Sequence, residues 1–108
     1  MRISAEDEEY VTVILNRDVL ATLGAAHQYA AGMFAAAIRD WYQDPDSYLQ
    51  KVVDEVQQYF HDTFTDTAWP TCLRHPNHPM WLHERWWCCD KDNVRLVKLG
   101  EMEAIRSM

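Results

Sequence analysis

The sequence predicts an α+β domain in which an N-terminal helical hairpin packs on a small three-stranded antiparallel meander, the two sharing one core in a single domain over residues 1–108. Three observations predict it. Apolar residues recur at steps of three and four from Val11 to Phe64, the period of a half-buried helix. Prolines then gather at Pro70, Pro76 and Pro79, where a helix interior cannot continue. Three short runs rich in Trp, Val and Leu follow, separated by turn-forming residues.

The first helix begins at Ser4, whose hydroxyl suits the N-cap and is followed by acidic Glu6, Asp7 and Glu8, which the helix dipole favours. Tyr10-Val11-Thr12-Val13-Ile14-Leu15 is β-branched enough for a strand. The recurrence of Val11, Leu15, Val19, Leu23, Ala26, Ala30, Met33, Ala37 and Trp41 argues instead for helix. Gly24 falls inside that pattern and marks a break or kink. Asp44-Pro45-Asp46-Ser47 is the next boundary, with Asp46 or Ser47 expected to cap a second helix. Its stripe is Tyr48, Leu49, Val52, Val53, Val56, Tyr59, Phe60 and Phe64, with Gln57 and the charged residues elsewhere. The expected strands are 80–83, 85–89 and 94–99, joined at Glu84 and at Asp90-Lys91-Asp92-Asn93 and ended by Gly100.

Composition narrows the function classes. The 108 residues carry a net charge of −7, with 48% broadly hydrophobic and 25% charged residues, an ordinary globular balance. So short a chain buries a modest share of its surface and gains from a metal, a disulfide or a partner. Residues 1–66 hold four basic against twelve acidic groups and residues 67–108 six against five. This balance speaks against nucleic acid and suits a basic protein partner. No apolar run spans a membrane and the start is acidic rather than signal-like, so the expected address is cytoplasmic. Cys72, Cys88 and Cys89 are odd in number and two are adjacent, which favours reduced thiols or metal thiolates over a disulfide framework.

The chemistry concentrates in Cys72-Leu73-Arg74-His75-Pro76-Asn77-His78, where three possible zinc ligands stand at intervals of three. Cys88 or Cys89 returns on the second strand. Cys72, His75, His78 and Cys88 make a Cys2His2 set suited to tetrahedral zinc, with His83 and Cys89 as alternates. Alternation along a strand means that Cys88 and Cys89 should not both reach one ion. Trp81 and Trp87 are candidate surface anchors for a partner.

Residues 69–101, from Trp69-Pro70-Thr71-Cys72 through Trp86-Trp87-Cys88 to Leu99-Gly100, resemble a segment of small uncharacterised bacterial proteins. Those carry a Trp-Pro-x-Cys-Pro-x-His turn, a His-Pro-Leu, a Trp-Trp-Cys strand and a closing Leu-Gly. The resemblance implies a zinc-ribbon-like knuckle in which Cys72, His75, His78 and Cys88 match the polar positions. Leu73 stands where that pattern has proline, and the turn at Glu84 is shorter and lacks its Asp-Gly.

The expected function is a non-enzymatic protein-interaction or regulatory module stabilised by structural zinc. The alternatives are an acidic inhibitor or immunity-type protein covering a basic partner, a nucleic-acid-binding zinc module, and a zinc hydrolase with Glu84 or Asp90 as base. No HExxH, P-loop, GxSxG or GxGxxG pattern is present. Homodimerisation through the alanine-rich helix stays open.

Overall fold

The computed structural model describes residues 3–63, 68–75 and 77–106. Phe64, at the predicted end of the second helical stripe, and Pro76 in the knuckle lie outside them. The architecture is α+β, with helices first and a three-stranded antiparallel sheet after them.

Helix α1 covers Ala5–Thr22 and starts on a capping box. Ser4 Oγ accepts from the Asp7 N–H (3.1 Å), and Asp7 Oδ2 accepts from the Ser4 N–H (3.0 Å). The ambiguous stretch 10–15 is therefore helical, its β-branched residues overruled by the burial of Val11, Leu15 and Val19 on one face. The break at Gly24 is complete. Gly24 takes φ +85°, a conformation that favours glycine, and a 3-10 turn at Ala25–His27 leads into α2 (Tyr29–Ile38). The expected hairpin is thus three helices.

Arg39 pairs with Glu8 (3.0 Å) and Gly32 lies against Thr12, so α1 and α2 run antiparallel. Helix α3 covers Pro45–Asp62. Its cap is Asp44 rather than the expected Asp46 or Ser47, because Pro45 occupies the first helical position and leaves the preceding side chain to accept from the Ser47 N–H (2.9 Å). Tyr48, Leu49, Val52, Val53, Val56 and Phe60 are buried as the stripe predicts. Gln57 is buried with them, contrary to its expected place on the polar face.

Strands β1 (Trp81–His83), β2 (Trp86–Cys89) and β3 (Val94–Lys98) form a meander in that order. Leu82 pairs with Trp87 and Trp87 with Val97, and an irregularity follows between Trp87 and Cys88. Glu84 and Arg85 join β1 to β2 with φ of 50° and 70°, the left-handed pair that a tight hairpin requires. Neither is glycine. Arg85 is held from outside by Asp46 (2.7 Å) and by the Tyr10 ring.

So small a sheet depends on its neighbours, and further polar side chains attach it to the helices. Gln50 and Gln57, seven residues apart on α3, donate to the carbonyls of Leu82 (2.9 Å) and Met80 (2.7 Å), covering the β1 edge. Asp18 on α1 is wholly buried. It accepts from Trp87 Nε1 (2.8 Å), the Gly100 N–H (2.8 Å) and the Met102 N–H (3.1 Å). Met102 opens α4 (Met102–Arg106), a helix absent from the sequence expectation. Leu15, Tyr48, Phe60, Trp69, Leu82, Trp87 and Val97 belong to one apolar cluster drawn from helices and sheet. Among the described residues, no helix is long and apolar enough to cross a membrane.

Candidate metal centre

The chain from Pro70 to Met80 folds back on itself ahead of β1. Thr71 bridges Pro79, the Met80 N–H donates to the Pro70 carbonyl (2.6 Å), and the Cys72 N–H donates to the His78 carbonyl (2.8 Å). The His78 N–H in turn donates to the His75 carbonyl (3.0 Å), which tightens the loop. Cys72 and His75 are thereby turned toward the end of β2, where Cys89 arrives.

Cys72, His75 and Cys89 are the group this geometry brings together, with one ligand atom from each within 4.8 Å of the others. His75 Nδ1 lies 3.3 Å from Cys89 Sγ and 3.8 Å from Cys72 Sγ. A tetrahedral zinc with ordinary Zn–S and Zn–N bonds sets such donor separations at about 3.5–3.8 Å. The three side chains can therefore hold one metal ion between them. Two backbone amides also point at the sulfurs, as thiolates require. Arg74 N–H lies 3.4 Å from Cys72 Sγ and Asp92 N–H 3.3 Å from Cys89 Sγ.

The remaining predicted ligands are placed elsewhere. Cys88, preferred over Cys89 in the sequence, sits outside the cluster, and the correction has a simple cause. Alternation along β2 puts Trp87 and Cys89 on one face and Trp86 and Cys88 on the other, and Asp18 pulls Trp87 into the core. Cys88 instead pairs across with Trp81 and Arg95, points its thiol at the Trp86 carbonyl (3.3 Å), and has its pKa pushed up by burial. His78 is exposed, its ring perpendicular to that of His75 with centroids 6.1 Å apart. The alternate His83 faces Asp90 at 3.2 Å, and Glu84, the other candidate base, pairs with Arg95 at 3.0 Å. Both contacts lie on the Cys88 side of the sheet.

Sequence reasoning passed over Asp92, treating it as a turn residue. Its Oδ2 accepts from Arg74 Nε (2.6 Å) and stands 3.7 Å from His75 Nε2, the ring nitrogen opposite the cluster. A ligating histidine commonly presents its second nitrogen to a carboxylate. The spacing Cys-x-x-Asp at 89–92 was the available signal.

The tryptophans divide between core and surface. Trp87, expected as a surface anchor, is fully buried and packs edge-on against buried Trp69 (5.7 Å), which corrects that expectation. Trp81 is 37% exposed and Trp41 81%. Trp81, Gln50, Asp54, His83, Glu84 and Asp90 line a groove of about 540 Å³ between α3 and the sheet. Burial pushes the Asp54 carboxyl above its ordinary range. No protein-family model matches the chain, nor does any curated protein or solved structure.

Proposed function

We propose that the cluster binds zinc, that the zinc is structural, and that the protein is a non-enzymatic interaction or regulatory module. The observation that carries this reading is the convergence of Cys72 and His75 from one segment with Cys89 from another, each sulfur facing a backbone amide. Soft thiolates with imidazole suit zinc. Two thiolates neutralise its charge, and the ion ties the 72–78 loop to the end of β2. His78, whose ring centroid lies 6.1 Å from that of His75, is the candidate for the fourth position. Binding such an ion supplies folding free energy to a sheet of short strands.

The test is elemental analysis of untagged protein purified without added zinc, alongside Cys72→Ser, Cys89→Ser and Cys88→Ser. One zinc per chain is expected in the wild type and in Cys88→Ser, with loss of metal and of cooperative unfolding in the other two. A metal-free wild type, or a Cys89→Ser variant that keeps its zinc, overturns the reading.

The groove favours one kind of partner. Asp54, Glu84 and Asp90 line the groove together with Trp81, a lining that suits a lysine or arginine side chain through carboxylate and cation–π contacts. This supports the inhibitor-like alternative, in which the acidic protein covers a basic surface. A lysine- and arginine-rich peptide should shift the Trp81 indole N–H resonance, with binding weakened by salt and by Asp54→Asn. Binding indifferent to both would remove this alternative.

A further inference from the structure

The three ligands of the candidate centre are unequally protected. Cys72 and Cys89 are nearly closed off, whereas the His75 side chain keeps 23% of its exposure. Arg74 and Asp92 stand beside it. These two residues each act twice on the cluster: their backbone amides serve the two sulfurs, and their side chains form a 2.6 Å ion pair whose carboxylate also faces His75 Nε2. Arg74 belongs to the 72–78 loop and Asp92 to the turn between β2 and β3. Among the described residues, the shortest charged contact between those segments is this 2.6 Å pair, with His75 Nε2 at 3.7 Å from the same carboxylate.

We propose that the Arg74–Asp92 pair is a latch that controls metal exchange at this centre; the proposal rests on the zinc reading above. With the latch closed, both amides stay on their sulfurs, and the carboxylate stands 3.7 Å from His75 Nε2, on the ring edge away from the cluster, so that Nδ1 faces the two sulfurs. With it open, the turn parts from the loop, one sulfur loses its amide and the ring is free to rotate. The pair is itself partly solvated, at 55% and 31% side-chain exposure. Salt therefore screens it far more than it screens the buried thiolates. Metal release should follow the ionic strength of the medium, a property that buried ligands alone would not confer.

The experiment loads full-length protein with one equivalent of zinc and follows its transfer to the chelator 4-(2-pyridylazo)resorcinol, in about 0.02 M and about 0.5 M sodium chloride. Release from the wild type should quicken several-fold with salt. Arg74→Gln and Asp92→Asn should each release zinc about tenfold faster or more and lose most of the salt dependence. The double variant should be no faster than either single one, and Arg74→Lys should restore the salt dependence. The cobalt(II) spectrum should be the same throughout, since no ligand changes. A wild type that takes up no zinc overturns the zinc reading itself. Zinc uptake by every variant, with release rates and salt dependence like those of the wild type, overturns the latch and leaves that reading standing. A single variant that folds but takes up no zinc counts for the latch only if Arg74→Lys binds and releases it in a salt-dependent way, and against it otherwise.

Discussion

The helical half and the sheet half of this protein are held together by different means. In α1 to α3 the contacts are many, apolar and spread along stripes, so no one side chain decides the packing. In the sheet, strands of three to five residues bring Leu82, Trp87 and Val97 to the shared apolar core and are held besides by directional attachments, among them the Asp18 carboxylate, two glutamine amides and the Cys–His cluster. Distributed burial tolerates a lost methylene. A polar attachment fails as a unit, because its buried partners are left without hydrogen bonds.

On the zinc reading proposed above, the largest expected effect comes from treating the zinc-loaded protein with a chelator, which should release the sheet before the helices. Hydrogen exchange checks this: protection at Trp87 and Val97 should fall while Val52, Val53 and Val56 keep theirs. Uniform loss would show that the halves unfold as one unit and would erase the contrast.

Next is Asp18→Ala. It orphans the donors of Trp87, Gly100 and Met102 together, and should cost about 3 kcal/mol or more in urea unfolding. A cost below about 1 kcal/mol would mean that water takes over these bonds. The same residue predicts a pH signature. Burial raises the Asp18 carboxyl from its ordinary 3.8, so the folded chain keeps this proton to a higher pH than the unfolded chain. Its contribution to stability is full below about that ordinary value and declines as pH rises through the raised one. Asp44 behaves oppositely. Its bonds from the Ser47 amide and hydroxyl lower its pKa, so the cap's contribution is present above the unfolded value and lost as pH falls through the folded one. Asp18→Asn should flatten the first trend and Asp44→Asn the second, each leaving the other intact.

A smaller effect is expected for Gln57→Ala, which removes the donor to the Met80 and Trp69 carbonyls and should cost about 1–3 kcal/mol, with faster exchange along β1. Tyr48→Phe is expected to be the mildest. The hydroxyl donates to the Ala35 carbonyl (2.6 Å), and burial pushes its pKa up to about 12. Its removal should cost about 1 kcal/mol, since the ring stays packed within the distributed core. A larger loss for Tyr48→Phe than for Asp18→Ala would invert the comparison.

Much of the fold could be read from the sequence because its signals are local. Ser4 with Asp7, Pro45 and the spacing from Tyr48 to Phe60 each state a backbone preference or a helical face within a few residues. The Trp- and Val-rich runs after Pro79 mark three strands in the same way. Cys72 and His75 were legible as candidate metal ligands because they share one loop. Alternation also showed that only one of Cys88 and Cys89 could join them, but alternation sets relative orientation and not which face is inward. The tertiary structure decided that phase, when Asp18 on a helix about seventy positions away took the Trp87 indole and so turned Cys89 to the cluster. It likewise decided that Asp18 and Gln57 are buried, that α4 packs against α1, and that Arg74 meets Asp92. Each of these is a pairing between distant segments, and no residue's own chemistry names its partner.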